Sequence, residues 1–521
     1  MSCLLDLSHE LLHNIFINVD PADLAAISRS CSPLNQYVKG NNLLCKELYL
    51  QHFDRPVPDP PNWETELRSL VVSDKLLQSD DIDAKRESLQ SVAKTICSLL
   101  SAPAATRNID FLATHFKSQQ NIDAFLTGSG LFEGAGSATQ VAASSTELRQ
   151  TAAKLHCLYG VSIDTAPSFC PLGYGIPSSR LLSLHRILYP NEPRHDYLTR
   201  SRGGVSSGGS VPIHVYARAR VYDLRRYTEG SFWGPFRDDY SQDVDWEKAE
   251  AIMVVLSYNM RLYSAKAQQP IDPFWETPWK GATSHSCVSS DVMGIPRSLG
   301  APGRLRDRDP QLTPGNTDYN DLYAFNFAHR IPDDQPRSPI DTEEAIRLIQ
   351  LKLRVVKIEP PEEDDGQDFP VVTFKGTSKS MHARWDPNAN SKIRGKSMLS
   401  KSWLARPYEE MLSFIGTVRQ TPQGEIRWTT FSIFHGEERW RSEGVQVGGI
   451  RSARGVLGNW FDKDYDVHGP AGPTAFWKTS EDASEEKDED PAPITVMQMT
   501  MPGVDSYAPD EDEDEDADDD E

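Results

Sequence analysis

The sequence predicts an α+β chain in four parts: an N-terminal three-helix unit over residues 1–55, a helical spacer over 56–265 with a loop near 201–210, an antiparallel β-barrel-like domain over 266–478, and a disordered acidic tail over 479–521. Three observations carry this. Apolar residues recur at steps of three and four near the N-terminus, the period shortens to two beyond about residue 270, and most of the acidity lies at the end of the chain.

In the N-terminal unit, Leu7, Leu11, Leu12, Ile15, Phe16 and Val19 fall along one stripe of a first helix. Ser8 stands where an N-cap is expected, and Glu10 suits the positive end of the helix dipole. Asp20-Pro21-Ala22-Asp23 reads as the start of a second helix, with a capping carboxylate, a proline at the first helical position and an acid in the first turn; Leu24, Ile27 and Cys31 follow at helical spacing. Each fully buried Leu or Phe is worth roughly 1.5–3 kcal/mol. About fifty residues nevertheless shield too little surface to fold securely without help, so the unit is expected to offer an apolar face to a partner.

After the prolines Pro56, Pro58, Pro60 and Pro61, runs such as ETELRSLVVSDKLL and RESLQSVAKTICSLL read as spacer helices, and SSTELRQTAAKLHCLYG continues that character. Beyond the Gly/Ser-rich stretch SRGGVSSGGS, the segment VYARARVYDLRRY alternates like a strand. Asp245 then caps a helix in which Trp246, Ala249, Met253, Leu256 and Met260 share a core-facing side. In the β-rich part, Leu351, Leu353 and Val355 alternate with Lys352 and Arg354, and Tyr323, Phe325 and Phe327 alternate with Ala324 and Asn326, the repeat of half-buried strands. The turn Thr421-Pro422-Gln423-Gly424 separates two strands, and Gly436, Gly444, the Gly448-Gly449 pair and Gly458 punctuate more. Short strands without intervening helices favour an antiparallel meander, and closure into a small barrel would remove its edges. Eight of the eleven tryptophans lie from Trp275 onward, enough bulk to fill such a barrel or line a pocket.

The net charge is −22, of which residues 480–521 carry −18 through nineteen acids and one lysine, leaving −4 for the rest. A self-repelling block such as Asp510–Glu521 has nothing to bury and is expected to be disordered. The seven cysteines form no C-x-x-C pair, the N-terminus lacks the layout of a signal peptide, and no apolar run approaches a membrane span. An intracellular protein with free thiols, cytoplasmic or nuclear, is expected, with no membrane partner.

The N-terminal residues Leu7, Glu10, Leu11, Leu12, Ile15, Phe16, Val19, Asp20, Pro21, Asp23, Leu24, Ile27, Ser28 and Cys31 resemble the pattern of the F-box, the helical motif by which substrate receptors dock on the Skp adaptor of cullin-based ubiquitin ligases. Ser8 replaces the usual proline, and Leu34 and Cys45 stand where tryptophans are common. The blocks SFWGPFRDDY, DWEKAEAIMVVLSYN, RWTTFSIFHGEERWRSEGVQVGGIRSARGVLGNWF and DKDYDVHGPAGPTAFWK resemble those of a group of fungal F-box proteins and, more distantly, of animal F-box proteins with a C-terminal β-barrel. In those relatives SKIRG runs directly into a T-V-R-x-T-P-x-G-E strand pair, whereas here the 21 residues Lys396–Gly416 intervene. The resemblance implies a non-catalytic substrate receptor of an SCF-type ligase. Leu7, Leu11, Leu12, Ile15, Phe16, Asp20, Pro21, Leu24 and Ile27 would bind a Skp-family adaptor and, through it, a cullin-RING ligase, while the β domain would hold an unidentified target protein.

Other motifs compete weakly with this reading. His9-Glu10-Leu11-Leu12-His13 fits the zinc peptidase pattern H-E-x-x-H, but only eight residues precede it and Phe16 occupies the glycine position of the extended motif. Gly204–Gly208 matches G-x-S-x-G without the strand and helix that a nucleophile elbow needs. NSKIRGKS ends like a phosphate loop, yet Asn390 replaces its first glycine. No metal or cofactor is expected. Residues 375–406 carry a net +7, so Lys375, Lys379, Arg384, Lys392 and Arg394 are candidate contacts for an acidic or phosphorylated substrate segment, or a resting place for the acidic tail. Nucleic acid is not an expected partner, because no reading motif accompanies the charge. A small-ligand-binding barrel and a zinc peptidase are the alternative function classes.

Overall fold

The structure is a computed structural model that describes residues 4, 7–103, 106–132, 146–160, 213–267, 277–284, 286, 319–333, 335, 337–338, 347–380, 413–434, 437–450, 452–466, 468–480 and 494–500. The chain opens with α1 (His9–Phe16), α2 (Pro21–Ser30), α3 (Ser32–Val38) and α4 (Asn42–His52), one helix more than the expected three. The break between α3 and α4 falls at Gly40, whose φ of +77° suits glycine, and at Asn41, whose side chain accepts a hydrogen bond from the Leu44 amide to start the next helix. Asp20 caps α2 by accepting from the Ala22 amide. Ser8 occupies the cap position of α1, but its side chain makes no capping bond.

Among the described residues the spacer helices are α5 (Trp63–Gln78), α6 (Ile82–Glu87), α7 (Leu89–Leu100), α8 (Thr106–His115), α9 (Gln119–Phe125) and α10 (Glu147–Tyr159). Asn62, Asp81 and Thr146 cap α5, α6 and α10 by accepting from amides in the first turn. The next element corrects the sequence reading, because VYARARVYDLRRY holds a helix, α11 (Ile213–Val221), followed by the 3-10 turn Leu224–Arg226. Ala217 and Val221 are both buried and lie four residues apart, a spacing that satisfies a two-residue period and a helix face equally. The small Ala217 and Ala219 also let α11 lie against α12 (Trp246–Ala267).

Asp245 starts α12 as expected, accepting from the Lys248 amide at 3.2 Å. The helix is buried on more than the predicted side, since Ala251, Ile252, Val254 and Val255 are covered along with Ala249, Met253, Leu256 and Met260. A second correction concerns Tyr323, Phe325 and Phe327, which lie on α13 (Tyr319–Phe327) and not on a strand. Tyr323 and Phe327, one helical turn apart, bring their ring centroids to 4.9 Å.

The strands are β1 (Arg347–Glu359), β2 (Val371–Ser380), β3 (Ser413–Gln420), β4 (Ile426–Phe434), β5 (Glu437–Gln446), β6 (Val456–Asp462), β7 (Ala471–Ser480) and β8 (Ile494–Thr500). Each pairs antiparallel with the next in sequence, so β1–β7 form a meander. β8 hydrogen-bonds to β7 on one side and to β1 on the other, the order of a closed barrel. It lies within the stretch expected to be a disordered tail, in the acid-free run 491–500 between two acidic blocks. The β3–β4 turn is closed by the Gly424 amide bonding Thr421 O at 2.9 Å and the Thr421 amide bonding Glu425 O at 2.7 Å. Gly448, between β5 and β6, has φ +87°, and a Cβ there would stand 2.5 Å from the carbonyl oxygen of Ala282, so the turn seats against residues 277–284 only with glycine.

One apolar cluster runs from Leu12 and Phe16 through the spacer helices and α12 to Val445, Leu457, Ala475 and Trp477 of the strands. The helices are therefore packed on the sheet and do not stand off from it as a rod. Trp279, fully buried, joins the two, with Phe116 and Tyr159 edge-on at 5.1 and 5.4 Å. Polar contacts cross the same seam. The Arg454 guanidinium, 1% exposed, donates to the carbonyl oxygens of Cys157, Thr277 and Lys280 at 2.9–3.1 Å, and Lys154 of α10 meets Glu425 at 2.6 Å. A smaller cluster of Leu351, Leu353, Phe374, Val456 and Phe476 packs among the strands themselves.

Candidate functional site

The apolar stripe predicted for α1 divides in two. Leu12 and Phe16 are 6% and 2% exposed and belong to the core, whereas Leu11 and Ile15 are 51% and 41% exposed and point away from it. Each pair is four residues apart, and the pairs are offset by one residue, or about 100° around the helix. α1 is held from behind by Tyr37 of α3, whose ring lies 5.4 Å from Phe16 and stacks on His9 at 5.7 Å. His13 Nε2 lies 2.8 Å from a Glu47 carboxylate oxygen on α4. Both histidines of the H-E-x-x-H sequence are thus engaged in packing α1 on its neighbours, and among the described residues no group of three His, Cys, Asp or Glu is placed to hold a metal ion. The backbone and the Ser8 hydroxyl hold the Glu10 carboxyl below its ordinary range.

The other residues expected to meet an adaptor are distributed similarly. Leu24 is buried, and Leu7 and Ile27 are half-buried against the same core. Asp20 is exposed at the cap of α2, and Pro21 occupies its first turn. Leu34 and Cys45, the smaller residues at tryptophan positions, are both buried, and burial pushes the Cys45 thiol up to about 11. The outward set is therefore Leu11 and Ile15, with the exposed Leu4 just ahead of them.

The basic cluster is only partly visible. Lys375 is half-buried in β2, in register with Arg354 of β1 and Ile415 of β3, and Lys379 lies opposite Gln350. Arg384, Lys392 and Arg394 lie outside the described residues, as do most of Lys396–Gly416, of which residues 413–416 begin β3.

A second feature had no counterpart in the expected site. A cavity of about 420 Å³ opens where the loop after α11, the end of α13 and the β6–β7 turn converge, lined by Leu224, Arg225, Tyr227, Thr228, Glu229, Trp233, Asn326, Phe327, Arg337 and Tyr465. Trp233 stands near-perpendicular to Tyr227 (79°) and to Tyr465 (67°), with centroids 6.2 and 5.3 Å apart. Trp233 and Tyr465 both hold positive φ, 59° in each case, a conformation that bulky side chains rarely adopt. Burial raises the Tyr465 hydroxyl, and Arg441 donates to its oxygen. Asp223 anchors the floor: burial pushes its carboxyl up, but hydrogen bonds and charge from Arg225 and Arg337 outweigh this and hold it below the ordinary range. Three separated segments build this site, and the only sequence signals for it are the aromatic density of SFWGPFRDDY and the tyrosine inside DKDYD.

Comparison with known proteins agrees with the placement of the N-terminal helices. The F-box domain family profile matches residues 4–46. No curated protein and no solved structure matches the chain. The matched residues include all of α1, α2 and α3 and the start of α4.

Proposed function

We propose that the chain is a substrate receptor of an SCF-type ubiquitin ligase, docking on a Skp-family adaptor through the outward face of α1 and presenting a target protein on the strand-rich part. The observation that carries this reading is the split of α1: one stripe is anchored in the chain's own core, while Leu11 and Ile15 stay exposed within a segment matched by the F-box domain family. An exposed pair of large aliphatic side chains on a helix fixed from behind is a surface suited to a partner. The receptor forms and breaks no bond itself. Holding a target near a ubiquitin carrier replaces a bimolecular encounter with a local one, which raises the rate of transfer. Packing of the spacer helices on the strands supports the geometry, since a rigid body fixes the distance between adaptor and target better than a hinged one.

The test follows from the same split. Changing Leu11 and Ile15 together to arginine should abolish co-purification with a Skp-family adaptor and leave the unfolding curve within about 0.5 kcal/mol of wild type, because neither residue is in the core. Phe16 is unsuitable for that test, as a charge there would enter the chain's own interior. Undiminished adaptor capture by the Leu11→Arg, Ile15→Arg variant would overturn the docking assignment.

A further inference from the structure

The cavity beside Trp233 differs in charge from the site that the sequence suggested. Two arginines line it, but neither is positioned to hold an anion. All five N–H groups of Arg225 are used within the chain: two bond the Asp223 carboxylate, two the carbonyl oxygens of Ile331 and Pro332, and one that of Gln335. Arg337 donates to Asp223 and to the carbonyl oxygens of Phe325 and Asn326. The groups left at the mouth are acidic. Glu229 lines the cavity and is exposed, and Asp238 is bonded to the lining residue Thr228. Asp464 and Asp466 flank Tyr465 but are engaged by Lys463 at 2.8 Å and His468 at 3.9 Å, and Asp333 lies 4.0 Å from Arg225, so Glu229 is the acid that faces a guest.

The walls add apolar surface. Tyr227, Trp233, Phe327 and Tyr465 present aromatic rings, and 420 Å³ is ample for a long side chain. Lys248 already lies 4.4 Å over the Tyr227 ring, and Arg441 lies 5.4 Å from the Tyr465 ring. The rings therefore serve mainly as contact area for an aliphatic stem, and the charge of a guest is met by Glu229.

From this arrangement we infer that the cavity is a recognition pocket for a basic side chain, arginine or lysine, on an exposed segment of the target protein. The inference rests on the receptor reading above and gives its target a chemistry: a basic segment in place of the acidic one that Lys375 and its neighbours suggested. The stem of the guest lies along Phe327 and Tyr465, and its cationic head pairs with Glu229.

Fluorescence anisotropy on the full chain tests it, using a dye-labelled, terminally blocked Gly-Arg-Gly-Arg-Gly peptide and two controls in which citrulline or glutamate replaces arginine. Citrulline keeps the shape and removes the charge. At 0.15 M salt the arginine peptide should bind at least tenfold more tightly than either control. Glu229→Lys should weaken it at least tenfold and Tyr465→Ala at least threefold, with melting curves of the Glu229→Lys variant unchanged. The acidic C-terminal residues attract the peptide equally in all variants, so the difference between variants reports the cavity. Equal affinity of wild type and Glu229→Lys, or of the arginine and citrulline peptides, would overturn the inference. The assay contains no adaptor, so that result would leave docking through Leu11 and Ile15 standing. A failure of docking would leave the peptide affinity standing.

Discussion

α1 is fixed to the rest of the chain by Leu12, Phe16 and the ring of Tyr37, with polar contacts between His13 and Glu47 and from the Tyr37 hydroxyl to the His9 carbonyl oxygen. The seam between the α10–α12 region and the strands is built differently. There Arg454 bonds three carbonyl oxygens, and the carboxylate of Glu443, with its side chain fully covered, bonds Arg427 at 2.9 Å, Arg441 at 2.5 Å and the Thr429 hydroxyl at 3.0 Å. Apolar contact is tolerant of small shifts, whereas a buried charge is tolerable only in one geometry. The N-terminal helices are thus attached through an apolar face and exposed or partly buried hydrogen bonds, such as that from the Gly40 amide to Glu64 at 2.8 Å, and keep large aliphatic residues outside, while the seam fixes one arrangement of helices on strands and with it the cavity at the β6–β7 turn.

The strongest way to break that contrast is to remove a charge from the seam. Glu443→Ala would leave Arg427 and Arg441 without their shared carboxylate. The loss should be about 3–5 kcal/mol in urea unfolding, since the remaining buried charge is uncompensated. Arg427 also lies 4.3 Å from the Phe232 ring, so the loop that carries Trp233 should loosen with it and the arginine peptide should lose affinity. A loss below about 1 kcal/mol would show that the seam is not held by its charges.

The second prediction uses pH. Burial, only partly offset by Asp245, pushes the Lys248 ammonium down to about 7 from an ordinary value of 10.5. Below pH 7 the lysine is charged in both folded and unfolded states, and the folded state bears the full cost of a buried charge. As pH rises past 7 the folded protein sheds this proton while the unfolded chain retains it, so stability should rise with pH by up to about 1.4 kcal/mol per unit. Cys45, held up to about 11, works in the opposite sense, because its thiol ionises first in the unfolded chain. The clean window is therefore pH 7 to 8.5. Comparing wild type with Lys248→Met isolates the effect, and a slope that persists in the variant would exclude Lys248 as its source. The N-terminal helices should contribute none of it.

The same contrast governs what could be read beforehand. The N-terminal helices were legible because apolar contact leaves a periodic trace: Leu12, Phe16 and Leu24 recur at helical steps, and Asp20-Pro21 announces the second start. Which of Leu11 and Leu12 faces inward was not legible, since both fit a wide stripe. The hairpin at Thr421–Gly424 was legible through its glycine. α11 and α13 were misread because short segments with apolar residues at even spacing satisfy both periods, and tertiary packing decides between them. The seam and the cavity leave no periodic trace. Arg454 pairs with carbonyls more than 170 positions away, and Tyr465 meets Trp233 from the far side of the sheet sequence. Arg427 and Glu443 are interior charges, and neither carries a periodic signal that would place it there.

The smallest expected effect sharpens the comparison from the N-terminal side. Asp20 is exposed and contributes one capping bond, from the Ala22 amide at 2.8 Å. Asp20→Ala should cost about 1 kcal/mol, the usual worth of an N-cap, and Asp20→Asn much less, because the amide oxygen can accept the same bond. If the N-terminal helices unfold together with the seam, this loss will appear as a small shift of a single transition. If they are a separately opening unit, as attachment through apolar and partly exposed polar contacts permits, amide exchange in α1 and α2 will accelerate about fivefold while exchange in α12 stays unchanged. The second outcome fits a docking element that is completed by its adaptor, and adaptor binding should then restore the lost protection. Equal acceleration in α2 and α12 would instead make the N-terminal helices an inseparable part of the core that offers a partner the exposed side chains of Leu11 and Ile15.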